Sequence, residues 1–328
     1  MAIADSRHHL LLSSASTNWG ASLAKLDLIQ LGIIVPTKDR PQEMNRLLES
    51  IYKQSYLAKT LIVVDGSGES IEAGLLRDPR VELIYVRVLP PSLTVQRNRG
   101  VQAIPEGLTH VGFLDDDIVL LDGAVEALVH GLAEDVDTLG GVSFNIIEDA
   151  KSTPSWILRL LGLHPMRIGQ VSKGGSVAAN VNVTATRDTK FLCGGATVWR
   201  VDVLRKFKFD EALKGYALWE DVDFSYRVSK HWALRVIESA KVLHLHVPSS
   251  QPNAARFLGD LEIVDRFYFC MKHRPEMSRL ATTWAAIGTI IRNSLAYLGG
   301  NPSALVRVWA NVCALLRCTF VKVERRAP

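Results

Sequence analysis

Four short apolar runs mark the chain after residue 30. LGIIV from Leu31 runs into Pro36, TLIVV covers Thr60–Val64, VELIYV covers Val81–Val86, and HVGFL covers His110–Leu114. Runs of this length, rich in β-branched residues, predict buried strands. Between the first two, Pro41 stands where a first helical turn begins, and Leu47, Leu48 and Ile51 recur at helical spacing. Residues 92–104 predict a second helix. Strand and helix alternating at this spacing predict crossover units, and so an α/β fold with a mostly parallel sheet and helices on both faces. In such sheets ligands bind beyond the carboxyl ends of the strands. Polar clusters occupy those ends: Thr37–Arg40 after the first strand, Asp65–Ser67 after the second, Asp115–Asp117 after the fourth.

Downstream the pattern changes. Residues 148–190 are rich in Lys, Ser, Gly and Asn and predict an insertion or loop beside the site. FLCGGATVWR (191–200) restores order, Trp219–Lys230 predicts a helix, and Ala233–Glu238 and Lys241–His246 predict two short strands. After Pro252 the pattern is helical, over Phe257–Lys272 and near 279–298 and 302–321. The expected organisation is an N-terminal extension (1–27), a catalytic domain (28–248) and a C-terminal helical region (249–328).

The 328 residues are 48% hydrophobic and 22% charged, enough for a large core. A net charge of +4 without a long basic run argues against nucleic acid as a partner. The four cysteines show no CxxC pairing, the simpler reading being free thiols in a reducing compartment. The N-terminus lacks a secretion-signal pattern. Trp284–Leu298 is interrupted by Arg292 and Asn293 and falls short of a span of about 20 residues. The expected location is cytoplasmic, at most peripheral at the inner face of the membrane.

Adjacent carboxylates at Asp115, Asp116 and Asp117 repel one another, which calls for a cation or a solvated loop. An extended backbone would point Asp115 and Asp117 to one side and Asp116 to the other. Such oxygen ligands suit Mg²⁺ or Mn²⁺ with places left for phosphate oxygens; an acidic turn capping the next helix fits the bare motif equally. In Trp219-Glu220-Asp221-Val222-Asp223, an acid could serve as a general base, or the group could merely answer the helix dipole. Gly194-Gly195 fits a bulge or a close backbone approach to a sugar. His244 and His246 alternate on one side of a strand, as structural residues or as a nitrogen ligand. Arg97-Asn98-Arg99-Gly100 offers charge and donors for a diphosphate, or a plain surface face.

In this order, the motifs IIVPTKDRP, LIVVDGSGES, QRNRG, FLDDDIVL, FLCGGATVWR, FDEALKGYALWEDVDFSYR and AKVLHLH resemble those of a family 2 glycosyltransferase of the GT-A fold across residues 29–248. The resemblance implies an inverting, metal-dependent transfer from a nucleotide diphosphate sugar to a hydroxyl of a carbohydrate or lipid-linked acceptor, in cell envelope polysaccharide or glycolipid assembly. It implies a nucleotide-binding segment at Pro36, Thr37 and Asp39, and a nucleobase contact at Asp65, where Gly66 replaces the family's frequent second Asp. Arg97 matches a donor-binding position, and Asp115 and Asp117 match the acids of a DxD motif holding Mg²⁺ or Mn²⁺. His244 matches a late metal-binding His present in some members. Asp221 matches the catalytic base, with Glu220 and Trp219 beside it; Asp116, Gly194 and Gly195 complete the expected donor site.

The helices near 279–298 and 302–321 carry Arg292, Arg307, Arg317, Lys322, Arg325 and Arg326 beside apolar faces. They fit a membrane interface with anionic lipid, packing on the catalytic domain, or a homodimer contact. A sugar-1-phosphate nucleotidyltransferase would open on a Gly-rich basic loop, which PTKDRP is not. A non-catalytic nucleotide-sugar binding protein predicts loss of the metal or base acids, and both are retained.

Overall fold

A computed structural model describes residues 26–148, 155–246 and 253–320. The expected N-terminal extension up to residue 25, Pro252, Lys322, Arg325 and Arg326 lie outside the described residues. The sheet begins with β1 (Leu31–Thr37), β2 (Thr60–Asp65), β3 (Glu82–Arg87) and β4 (His110–Leu114), all parallel. It continues through β5 (Ile118–Leu120), β6 (Leu139–Ile147), β7 (Arg187–Thr189), β8 (Ala196–Arg200) and β9 (Ala233–His244). The spatial order is β3-β2-β1-β4-β8-β6-β9-β5, with β7 also on β9. β8 runs antiparallel between β4 and β6; β5 and β7 run antiparallel along β9.

The central strands are apolar on both faces because helices cover both. Leu31, Ile33, Val35, Leu61 and Val63 point into one core, with Met44, Leu47, Leu48 and Ile51 of α1 (Pro41–Tyr52) and Leu128 and Leu132 of α3 (Ala124–Glu134). Ile34, Ile62, Val64 and Phe113 point into the other, with Leu204 of α5 (Val201–Lys206) and Phe224 and Val228 of α6 (Glu220–Val228). α2 (Leu93–Gln102) packs against β1 and β2. Alternating side chains of a continuous apolar run thus feed two cores, the pattern of a parallel sheet buried on both sides. Pro36 is tolerated inside β1 because pairing with β4 ends at Ile34, where no ladder bond is lost on that side.

The expected pair of strands at 233–246 is one strand. β9 pairs with β6 throughout, but its register jumps between Ile237, opposite Phe144, and Lys241, opposite Asn145. That irregularity breaks the hydrophobic alternation and makes one strand read as two. Among the described residues of the 148–190 segment are a short helix, α4 (Ser155–Leu160), and β7, joined by irregular stretches.

Three long helices close the chain: α7 (Ala254–Lys272), α8 (Arg279–Leu298) and α9 (Ser303–Phe320). α7 docks on the sheet-bearing part of the chain through Phe269 and Cys270, which pack with Phe191 and Val222. Ile263, Phe267, Ala286 and Ala314 hold the three helices together.

Candidate functional site

Parallel register sets Thr37, the last residue of β1, beside Asp65, the last of β2. Thr37 Oγ1 donates to Asp116 Oδ2 at 2.7 Å. Arg40, at the start of α1, donates to the other Asp116 oxygen at 3.0 Å and lies 3.6 Å from Asp117. Burial pushes the Asp116 carboxyl up to about 6, against the pull of Thr37 and Arg40.

The three aspartates are not extended. Beyond Leu114 the chain turns, the Ile118 N–H donating to the Asp115 carbonyl at 3.1 Å. The expected shared side for Asp115 and Asp117 therefore gives way to a fan, with Asp115 toward Arg97, Asp116 toward Thr37 and Arg40, and Asp117 toward His244. β5 then runs along β9 with Ile118 opposite His244, and the Leu245 N–H donates to the Asp117 carbonyl at 3.0 Å. This pairing sets Asp117 Oδ1 3.2 Å from His244 Nε2. The Asp117 carboxylate raises the His244 imidazole above its usual range, against burial.

On the other flank β4 pairs with β8, and the Asp115 N–H donates to Gly195 O at 2.9 Å. A Cβ on Gly195 would lie 2.4 Å from Asp115 Oδ2, and one on Gly194 would lie 2.8 Å from Asp221 Cβ. Only glycine permits this approach. The Gly194 N–H donates to Asp221 Oδ2 at 3.0 Å, while Gly194 O accepts from Arg97 at 3.2 Å. Arg97 is 1% exposed and donates to Glu220 Oε1 at 2.8 Å, with Asp115 at 3.5 Å and the Phe209 ring centroid 5.2 Å from its guanidinium. One buried cation thus ties together the acids of residues 115 and 220. Burial raises the Asp221 carboxyl, with the Gly194 N–H and Arg97 opposing; burial and Asp221 raise Glu220, with Arg97 opposing.

Neighbouring residues hold α6 in place. Trp219 takes a left-handed backbone (φ 62°), donates its indole N–H to Gly175 O at 2.7 Å and lies under Arg266. Asp223 accepts from His273 at 2.7 Å, and with Arg227 and Lys272 this holds its carboxyl down to about 2 despite burial. The last acid of WEDVD therefore docks α7 and does not face the cleft.

Asp65 is 0% exposed and accepts from Ser67 N–H at 2.8 Å and from the Tyr85 hydroxyl, with Arg87 at 3.4 Å. Where the resemblance implies a base contact, the structure gives a carboxylate without surface that orders its own loop. Ser67 and Tyr85 hold that carboxyl below its usual range against burial. Asp39 is exposed at φ 56°, its N–H donating to Ser67 Oγ at 2.7 Å.

A cleft of about 440 Å³ opens at this sheet edge, lined by Pro36, Thr37, the three aspartates and His244 among others. Asp39, Asp65, Arg97, Gly194, Gly195 and the acids of α6 do not line it. His246, already read as a possible nitrogen ligand, does; so do Arg40, Gln96 and Tyr216, none of which was singled out individually. Arg40, Gln96 and Tyr216 all lie inside quoted motifs, which was the available signal. The residues fit a divalent cation: Asp117 Oδ1 and His244 Nε2 are close to the separation of adjacent ligands on one ion with bonds of about 2.1 Å. Carboxylates suit Mg²⁺ or Mn²⁺, and the imidazole tilts the balance toward a transition metal.

The sequence matches the model of Glycosyl transferase family 2 over residues 32–205. Among solved structures, the chain resembles S. aureus TarS residues 1–349 at 14% identity, covering 88% of this chain and 81% of that one, with a TM-score of 0.50. It also resembles the mannosyltransferase PcManGT from Pyrobaculum calidifontis, in complex with GDP-Man and Mn²⁺, at 15% identity, covering 94% and 97% with a TM-score of 0.54. At these identities the likeness is one of fold. No curated protein sequence matches.

Proposed function

The chain belongs to glycosyl transferase family 2, and from that premise we propose that it moves a sugar from a nucleotide diphosphate donor to an acceptor hydroxyl with inversion. One observation carries this reading: Arg97 and Gly194 join the 115–117 acids to Asp221 at the carboxyl edge of the sheet. A single donor can then span both. The GDP-Man and Mn²⁺ held by PcManGT support the donor class and the metal.

Asp221 acts as the base. Its carboxylate, fixed by the Gly194 N–H and held near Arg97, takes the proton of the acceptor hydroxyl. The acceptor oxygen bonds to the anomeric carbon as the bond from that carbon to the diphosphate oxygen breaks, inverting the centre. Asp117, Asp115 and His244 would hold the cation, which neutralises charge on the leaving diphosphate when bound. Thr37 and Arg40 hold Asp116, and Arg40, which lines the cleft, would offer its charge to the diphosphate. Asp65 shapes the loop that receives the base. Release of nucleoside diphosphate from UDP-, dTDP- and GDP-sugars with Mn²⁺ tests the reading; no turnover of any donor, with or without acceptor, would end it.

A raised base predicts the pH profile. Turnover needs the ionised carboxylate, so it falls as pH drops through the pKa of the Glu220–Asp221 pair, which burial holds above the ordinary aspartate value of about 3.9. A kcat–pH profile checks this; an acid limb at or below that value would contradict it.

The C-terminal helices supply a face for anionic lipid in the same reading. Leu280, Trp284, Ile287, Ile291, Leu295 and Leu298 form one exposed stripe along α8, with Leu280 85% and Leu298 78% exposed. The Trp284 indole donates to Leu160 O at 2.9 Å, so exposed Trp156 and Leu160 of α4 extend the patch. Neither α8 nor α9 contains an acidic residue, and their only charges are arginines. Apolar stripes of this extent mark interaction surfaces, and such a composition fits an anionic bilayer surface. No described helix is long and apolar enough to cross a membrane. The full chain is expected to float with phosphatidylglycerol vesicles and not with phosphatidylcholine alone, and the Trp284→Glu/Ile291→Glu double variant to stay behind. Absence of flotation with a dimer in light scattering would make the patch a subunit contact.

A further inference from the structure

Just beyond β6, Glu148 carries a side chain that reaches two histidines. Its Oε1 lies 3.3 Å from His244 Nδ1 and 3.1 Å from His246 Nε2, while the other nitrogen of His244 faces Asp117. The backbone builds this cluster deliberately. Residues two apart on a strand normally sit about 6.6 Å apart, yet the rings of His244 and His246 have centroids 3.9 Å apart. His246 reaches that position through a left-handed backbone (φ 48°), a conformation costing a non-glycine residue on the order of 1 kcal/mol or more. Asn182 fixes the other end, accepting from the Glu148 N–H at 3.2 Å and donating to its carbonyl at 2.9 Å.

Hydrogen-bond accounting narrows what the cluster can hold. A neutral imidazole has one N–H and one lone pair, and His244 has a carboxylate at each nitrogen. With the N–H given to Glu148, the lone pair at Nε2 faces the Asp117 carboxylate, and either a proton, giving an imidazolium that donates to both acids, or a metal cation between them makes both sides favourable. A histidine that binds metal through one nitrogen commonly gives its other N–H to a carboxylate, which fixes tautomer and ring orientation. We propose that Glu148 is the positioning residue of the metal ligand His244, and that His246 holds Glu148 in place for that task. Resting on the metal-dependent reading above, this adds Glu148, which no quoted motif carries, and gives His246 of AKVLHLH a part in holding it. Asp117, His244 and His246 line the cleft and Glu148 does not, which favours an ion on the Asp117 side of the His244 ring with Glu148 behind it. The ligand atoms of Glu148, His244 and His246 also lie within 4.8 Å of one another, so direct ligation by all three is the competing arrangement.

Mn²⁺ titration followed by electron paramagnetic resonance, with pulsed detection of nitrogen coupling, separates the two. Glu148→Gln is expected to weaken Mn²⁺ binding about 10- to 100-fold, and His246→Ala to weaken it less. Coupling from one histidine should be present in the wild type, persist in His246→Ala and vanish in His244→Ala. Glu148→Gln should regain donor turnover at raised Mn²⁺, and thermal unfolding checks that each variant is folded. Unchanged Mn²⁺ affinity in folded Glu148→Gln would overturn the proposal, as would loss of a histidine coupling in His246→Ala. A wild type that binds no Mn²⁺ would overturn it too, while donor turnover in metal-free buffer would still decide sugar transfer separately.

Discussion

Asp221→Asn is expected to lower transfer by about 100-fold or more while donor affinity stays close to that of the wild type. Loss of general base catalysis has that order of effect, and the amide can still accept from the Gly194 N–H through its oxygen. The Asp221 carboxylate does not line the donor cleft, so donor binding has little to lose. Single-turnover rates with saturating donor, together with calorimetric donor binding, separate the two quantities. A variant turning over at near wild-type rate would remove Asp221 from the base role. One that binds donor poorly would place it in the donor site instead.

The largest stability effect is expected at Arg97. Its guanidinium is buried against Glu220 at 2.8 Å, Gly194 O at 3.2 Å and Asp115 at 3.5 Å. Arg97→Met keeps much of the packing on Phe209 and Phe113 but leaves the Glu220 carboxyl buried without its cation. Breaking a buried pair by removing one partner costs about 3–5 kcal/mol. At about 2–4 °C per kcal/mol for larger domains, that lowers the unfolding midpoint by on the order of 10 °C. Differential scanning calorimetry reads the shift directly. A second substitution, Glu220→Gln, should return part of it by removing the stranded charge, whereas an unaltered midpoint in Arg97→Met alone would mean the brace contributes nothing.

Much of the architecture was legible because it is local. The apolar runs of β1, β2 and β4 and the helical spacing of Leu47, Leu48 and Ile51 each signal an element within a dozen residues. The helices at 279–298 and 303–320 were read almost to the residue for the same reason. What stayed hidden depends on long separations. Asp117 meets His244 only because β5 pairs with β9, and β5 is three residues long, too short to signal itself. Glu148 sits at the edge of a stretch read as a loop, 96 residues from the histidine it contacts. Arg97 was assigned by its charge to the donor, and only burial shows it holding the acids together. The three aspartates were expected in extended form because a strand precedes them; the Asp115–Ile118 turn that redirects them leaves no composition signal.

The docking of α7 has a practical consequence for anyone wishing to study the sheet-bearing half alone. Asp223 relies on His273 and Lys272, and the Leu218 N–H relies on Asp265, all from the helix that follows the sheet or the residue that caps it. A shortened chain ending near residue 250 would strip these supports from both sides of Glu220 and Asp221. The last helices are thus no detachable appendage: the tail is a splint for the turn that carries Asp221.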